Sequence, residues 1–83
     1  MKIIKTTLMG NLQRIAGQRD LAIELADEAT VLDLKQELLR RYPALEPSFK
    51  RLGITVNKGH RVTDADILPP DGEVTIFPAF SGG

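Results

Sequence analysis

Eighty-three residues make room for one domain with a modest core. Eleven Lys and Arg balance eleven Asp and Glu, which argues against nucleic-acid binding as the protein's work. With no cysteine and one histidine, His60, the chain has no disulfide framework, thiolate metal site or cysteine nucleophile, and no histidine-based metal cluster is expected.

Met1 to Met9 reads as a first strand, because Ile3, Ile4, Thr6, Thr7 and Leu8 are β-branched or apolar and no Gly or Pro interrupts them. Lys2 and Lys5 are expected to bring part of this strand to water. Gly10 breaks it. Asn11 to Asp20, with Leu12 and Ile15 ahead of Gly17, is expected to be a connection with one helical turn. Leu21, Ile23 and Leu25 then alternate with Ala22 and Glu24, the pattern of a half-buried second strand paired as a hairpin with the first.

The clearest helix follows. Thr30 can cap it, with Asp33 three residues on as a variant of the capping box. Val31, Leu34, Leu38 and Tyr42 recur at helical spacing and Leu39 widens the stripe, while Lys35, Glu37, Arg40 and Arg41 fall largely on the other side. Arg40 and Arg41 complement the dipole of the last turn, and Pro43 ends the helix. The leucine stripe is expected to be core.

Ala44 to Leu52 suggests a short helical turn over the core edge, carrying Phe49 and Leu52. Ile54 to Asn57 is a short strand, and Lys58-Gly59-His60 turns the chain into Arg61-Val62, with His60 an exposed turn residue. Pro69-Pro70-Asp71-Gly72 is a strong turn signal ahead of the last strand, Glu73 to Phe77. Asp64 and Asp66, in the preceding turn, are read as local caps rather than a catalytic dyad. No apolar run approaches a membrane span and no secretory h-region opens the chain, so a cytoplasmic protein without a membrane partner is expected.

These elements suit an α+β domain, a mixed sheet with one main helix packed on one face and the first and last strands parallel at the centre. If Val74 and Ile76 face the helix, Phe77 projects onto the open face, as part of an interaction patch or packed under a loop. Pro78 is expected to stop the strand, because it lacks the N–H that would continue a ladder. Ala79 to Gly83 would then be a flexible tail able to reach on the order of 17 Å, leaving residues 1–78 as the domain. Gly82-Gly83 has no side chain and can thread a narrow channel. A glycine pair at a chain end arises by chance roughly 0.5% of the time. Between Val62 and Gly83 stand four acids, Asp64, Asp66, Asp71 and Glu73, and no Lys or Arg. This stretch is either a solvated acidic loop or one that a partner receiving this end would meet with a basic rim.

The whole chain resembles the ubiquitin-like sulfur carriers of the β-grasp fold, most closely the small subunits of molybdopterin synthase, and also the thiamine-biosynthesis carriers. The likeness is carried by Ile54-Thr55-Val56-Asn57, by Pro70-Asp71-Gly72-Glu73-Val74, by the Thr30-Val31 helix start, and by Phe77-Pro78-Ala79-Phe80-Ser81-Gly82-Gly83. It implies a carrier and not an enzyme. ATP is used by a ubiquitin-activating-like adenylating partner, which activates Gly83, and no cofactor is bound by the chain itself. A sulfurtransferase or cysteine desulfurase would supply the sulfur that makes a thiocarboxylate there. The molybdopterin synthase large subunit would receive the tail in a heterotetramer. By the same resemblance Gly82 gives access, Phe80 and Ser81 line the inserted tail, and Phe77 and Met9 meet the partner. The pattern departs from the family at Ala79, where a second proline is common, and at the bulkier Phe80. Thiamine, cysteine or tRNA thiolation, or conjugation to a lysine, are the alternatives the resemblance leaves.

Overall fold

A computed structural model describes residues 1–57 and 59–78, with residues 48–52 and Arg61 described through their backbone. Five strands form one sheet: β1 (Lys2–Leu8), β2 (Asp20–Leu25), β3 (Leu52–Val56), β4 (His60–Arg61) and β5 (Glu73–Pro78). Their spatial order is β2-β1-β5-β3-β4. β1 pairs antiparallel with β2, with Ile4 opposite Ile23, and parallel with β5, with Leu8 opposite Ile76. The first and last strands are thus neighbours at the centre, as expected.

Two helices and a 3₁₀ segment accompany the sheet: α1 (Asn11–Ala16), α2 (Val31–Arg41) and Pro43–Arg51. α2 begins at the expected capping box. The Thr30 hydroxyl accepts from the Asp33 amide at 3.4 Å, and an Asp33 carboxylate oxygen accepts from the Thr30 amide at 2.9 Å. The amides of Val31 and Leu32 donate to the carbonyls of Asp66 and Asp64, so the loop before β5 closes over this helix start. Val31, Leu34 and Leu38 are buried, with Leu39 and Tyr42 packed against the same core. The inward face of the sheet supplies Ile4, Leu8, Ile23, Ile54, Val74 and Ile76. Burying these side chains between sheet and helix is the main stabilising term, about 1.5–3 kcal/mol for each large aliphatic residue.

Three expectations need correction. Lys2 does not reach water: it lies on the inward face, 5% exposed. Its ammonium donates to the carbonyls of Asp27, Ala29 and Leu68, so all three donors are met by backbone. The alternation of β1 puts Lys2 in phase with Ile4, Thr6 and Leu8, and this carbonyl cradle makes the burial tolerable. Pro78 does not follow the last strand but is its final residue, opposite Leu52. A strand end is where the missing N–H costs least. The connection after Gly10 is a six-residue helix, α1, whose Leu12 is fully buried and which ends at Gly17 in the left-handed region (φ 76°).

A candidate docking surface where the last strand ends

β1 and β5 run in the same direction, so both finish at one end of the sheet. The Met9 amide donates to the Ile76 carbonyl at 2.9 Å, which extends the pairing one residue past β1. Met9 therefore sits beside Phe77 on the face turned away from α2, and 41% of Met9 is exposed. Of the residues expected to meet a partner, these two are brought together. Phe80, Ser81, Gly82 and Gly83 lie outside the described residues.

Phe77 is half-buried rather than fully open. Gly53 of β3 is its cross-strand neighbour, and a methyl group there would run into the Phe77 ring. The ring thus lies across a strand position without a side chain, which shields one of its faces. Gly10, in the turn between β1 and α1, performs a similar service on the other side of β5. It holds φ at 60°, and a Cβ placed on it would stand 3.1 Å from Cγ of Pro78. The strand end is therefore flanked by two glycines, Gly53 of β3 against Phe77 and Gly10 of the turn after β1 against Pro78. In the sequence Gly10 reads only as a strand breaker, and Gly53 falls just ahead of the expected Ile54–Asn57 strand; the register that pairs it with Phe77 is visible only in the sheet.

Beyond this corner the open face is low and polar. One cross-strand row reads Asp20, Thr7, Thr75, Thr55, and the next places Ala22, Lys5 and Glu73 in line. Asp20 accepts from the Thr7 hydroxyl at 3.0 Å. Above these short side chains lies an open concavity of about 480 Å³ over β2, β1 and β5. A second, of about 530 Å³, is lined by Gly10, Gln13, Arg14, Gly17, Gln18 and Arg19, beside the strand end.

The acids between Val62 and Gly83 do not surround this corner. Asp64 pairs with Lys35 at 2.6 Å, and Asp66 accepts from the Thr63 amide at 2.7 Å, the capping role expected of it. Asp71 and Glu73 stand at the opposite end of β5. The expected basic rim on a partner is therefore not supported by where these charges lie; the charged side chains lining the concavity that Gly10 shares are Arg14 and Arg19. Among the described residues no group of three or more His, Cys, Asp or Glu is placed to hold a metal ion, and His60 is exposed in β4. No helix among them is long and apolar enough to cross a membrane.

Comparison with known proteins matches residues 6–83 to the ThiS family. The molybdopterin synthase sulfur carrier subunit of Arabidopsis thaliana is 28% identical over 80 residues, spanning 96% of this chain and 82% of that protein. The protein of the same name from Caenorhabditis elegans is 27% identical over 81 residues, spanning 96% of each. Among solved structures, small archaeal modifier protein 1 of H. volcanii superposes with a TM-score of 0.86 at 22% identity, over 96% of this chain and all of that one. At that identity the likeness speaks to fold alone. With the strand order above, it gives the ubiquitin-like β-grasp.

Proposed function

The chain belongs to the ThiS family, and from that membership we propose that it is a sulfur carrier working through the α-carboxylate of Gly83. The observation that carries this reading is the position of the strand end. The central strand of the sheet delivers the chain at Pro78, between Gly10 and Gly53 and beside the Met9–Phe77 pair. Five residues ending in two glycines remain beyond it.

A free α-carboxylate, with an ordinary pKa of about 3.5, is ionised at neutral pH and is a poor electrophile. It has to acquire a leaving group first. A carboxylate oxygen of Gly83 attacks the α-phosphorus of ATP held by a ubiquitin-activating-like adenylating enzyme. Pyrophosphate departs and an acyl-adenylate forms. The terminal sulfur of a persulfide, supplied by a sulfurtransferase or cysteine desulfurase, then attacks the carbonyl carbon and AMP leaves. A further thiolate cleaves the resulting acyl disulfide at the donor's sulfur, releasing the thiocarboxylate and leaving a mixed disulfide on the donor side. Every thiol in this sequence belongs to a partner, since this chain has none. The chain supplies the carbonyl carbon and the docking surface, and its partners supply the catalysis in the cytoplasm.

The names of the two sequence relatives favour molybdopterin synthesis as the destination. A synthase large subunit would take the tail, with Phe80, Ser81 and Gly82 leading Gly83 to the pterin precursor. Incubation with ATP, a candidate adenylating enzyme and a persulfide donor should yield, by intact mass spectrometry, a species heavier by the sulfur-for-oxygen difference. Deleting Gly83, or replacing Gly82 with a bulky residue, should abolish that species and leave the thermal melt unchanged. Sulfur acceptance surviving the loss of Gly83 would defeat the mechanism. Capture of a synthase large subunit would separate this destination from thiamine, cysteine or tRNA thiolation, and Gly83–lysine adducts would mark a protein modifier instead.

A further inference from the structure

The concavity lined by Gly10, Gln13, Arg14, Gly17, Gln18 and Arg19 is bounded by polar side chains and glycine backbone, and no carboxylate lines it. Arg14 lies in the last turn of α1 and Arg19 immediately precedes β2; both are exposed. Among the described residues neither makes an ion pair. The other cations whose side chains are described are differently placed. Lys35 is held by Asp64, and Arg40 and Arg41 share Glu37 at 2.6 and 2.8 Å. Lys2 is buried on carbonyls, and Lys5 stands in the sheet directly opposite Glu73. Through Gly10 this concavity abuts the Pro78 ring, so its positive charge lies at the root of the C-terminal segment. Its nearest acid in sequence, Asp20, is turned to the open face, where it accepts from Thr7.

We propose that the α1–β2 corner is a basic collar that docks a carboxylate-bearing surface of the adenylating enzyme that activates the C-terminus, next to the apolar contact made by Met9 and Phe77. This rests on the sulfur-carrier reading for the identity of the partner but not for the existence of the collar. Two guanidinium groups that make no ion pair among the described residues, set around a polar hollow, suit planar carboxylates, which they can grip through two parallel hydrogen bonds. An exposed charge cluster of this kind chiefly accelerates encounter and fixes orientation, and its effect fades with salt.

The collar can be probed without any sulfur chemistry. Hexaglutamate titrated into the isotope-labelled full-length chain should shift the amide signals of residues 10–19, and hexalysine should not. High salt should abolish the shifts, and so should the paired substitutions Arg14→Glu and Arg19→Glu. Arg14→Gln with Arg19→Gln gives the same comparison with less risk to the fold, which a thermal melt verifies. With the adenylating enzyme, the charge-reversed protein should associate about tenfold more slowly at low salt, and the difference should close as salt rises. Hexaglutamate shifts elsewhere or none at all, or an association rate indifferent to the substitutions, would overturn the proposal. So would hexaglutamate binding that strengthens when residues 79–83 are removed, since the chain's own terminus would then be the occupant. Normal collar behaviour in a protein that never accepts sulfur would instead defeat the sulfur-carrier reading alone.

Discussion

Two residues that look unremarkable in the sequence hold more of the structure than their types suggest, one at the docking corner and one at the far end of β1. Gly53 leaves room for the Phe77 ring, and any side chain there must displace it. Gly53→Ala should therefore cost about 1–3 kcal/mol of stability, the usual penalty for overpacking. The same substitution should also weaken partner capture, because Phe77 would be pushed from its place; urea unfolding and a binding assay on one preparation test both. Lys2 is the other. Its three hydrogen bonds tie the start of β1 to the turn before α2 and to the segment before β5. Lys2→Met keeps the aliphatic stem but orphans buried carbonyls, so a loss of about 2 kcal/mol or more is expected in chemical denaturation. A lysine inside a strand reads as a solvent-facing charge, because residue type says nothing of a carbonyl cradle assembled from distant segments. The half-burial of Phe77 was hidden for a related reason: it depends on register between strands, which no single run of residues reveals.

Elements differed in how plainly they could be read, and the difference follows from where their stability originates. α2 carries its own signals, a capping box, an apolar stripe and a basic last turn, and it forms where they place it. Removing the cap with Thr30→Ala should lower stability by about 1 kcal/mol, measurable as a shift in the denaturation midpoint. β2 was equally legible from its alternation. α1 was not, because six residues are too few to be helical on local preference, and it is the burial of Leu12 that holds them. On the outer face of α2, hydrogen bonds from Arg40 and Arg41 lower the Glu37 carboxyl from 4.5 to about 2. A carboxyl whose folded value lies below its unfolded value contributes stability that is fully present above the ordinary carboxylate range. That contribution is lost as pH falls toward 2. Glu37→Gln should therefore flatten the stability profile between about pH 5 and 2, lowering stability at pH 7 and converging with the parent near pH 2, as urea unfolding across that range would show. The effect should be small and should shrink in salt, because these groups are exposed.

At the scale of the molecule, the order of elements foretold a mixed sheet with parallel central strands and a helix across one face. It did not foretell the distribution of charge. Four acids without a Lys or Arg among them in the last quarter of the chain suggest an acidic terminus, yet folding carries them to α2 and to the far end of β5, while Arg14 and Arg19 line a hollow beside Gly10. Sequence proximity and spatial proximity part company wherever a strand spans the whole sheet. The central place of β5 yields a sharper expectation. A chain ending at residue 72 would have β2–β1 and β3–β4 as two separate pairs with nothing between them. Such a fragment should show the narrow amide dispersion of an unfolded chain, since isolated two-stranded units are marginal in water.

That placement also ties folding to manufacture. β5 leaves the ribosome after β1 to β4, yet it fills the gap between the pieces made before it. An unfinished copy stalled in translation cannot close its sheet, so it stays open to proteases and cannot compete with finished molecules for their shared partners.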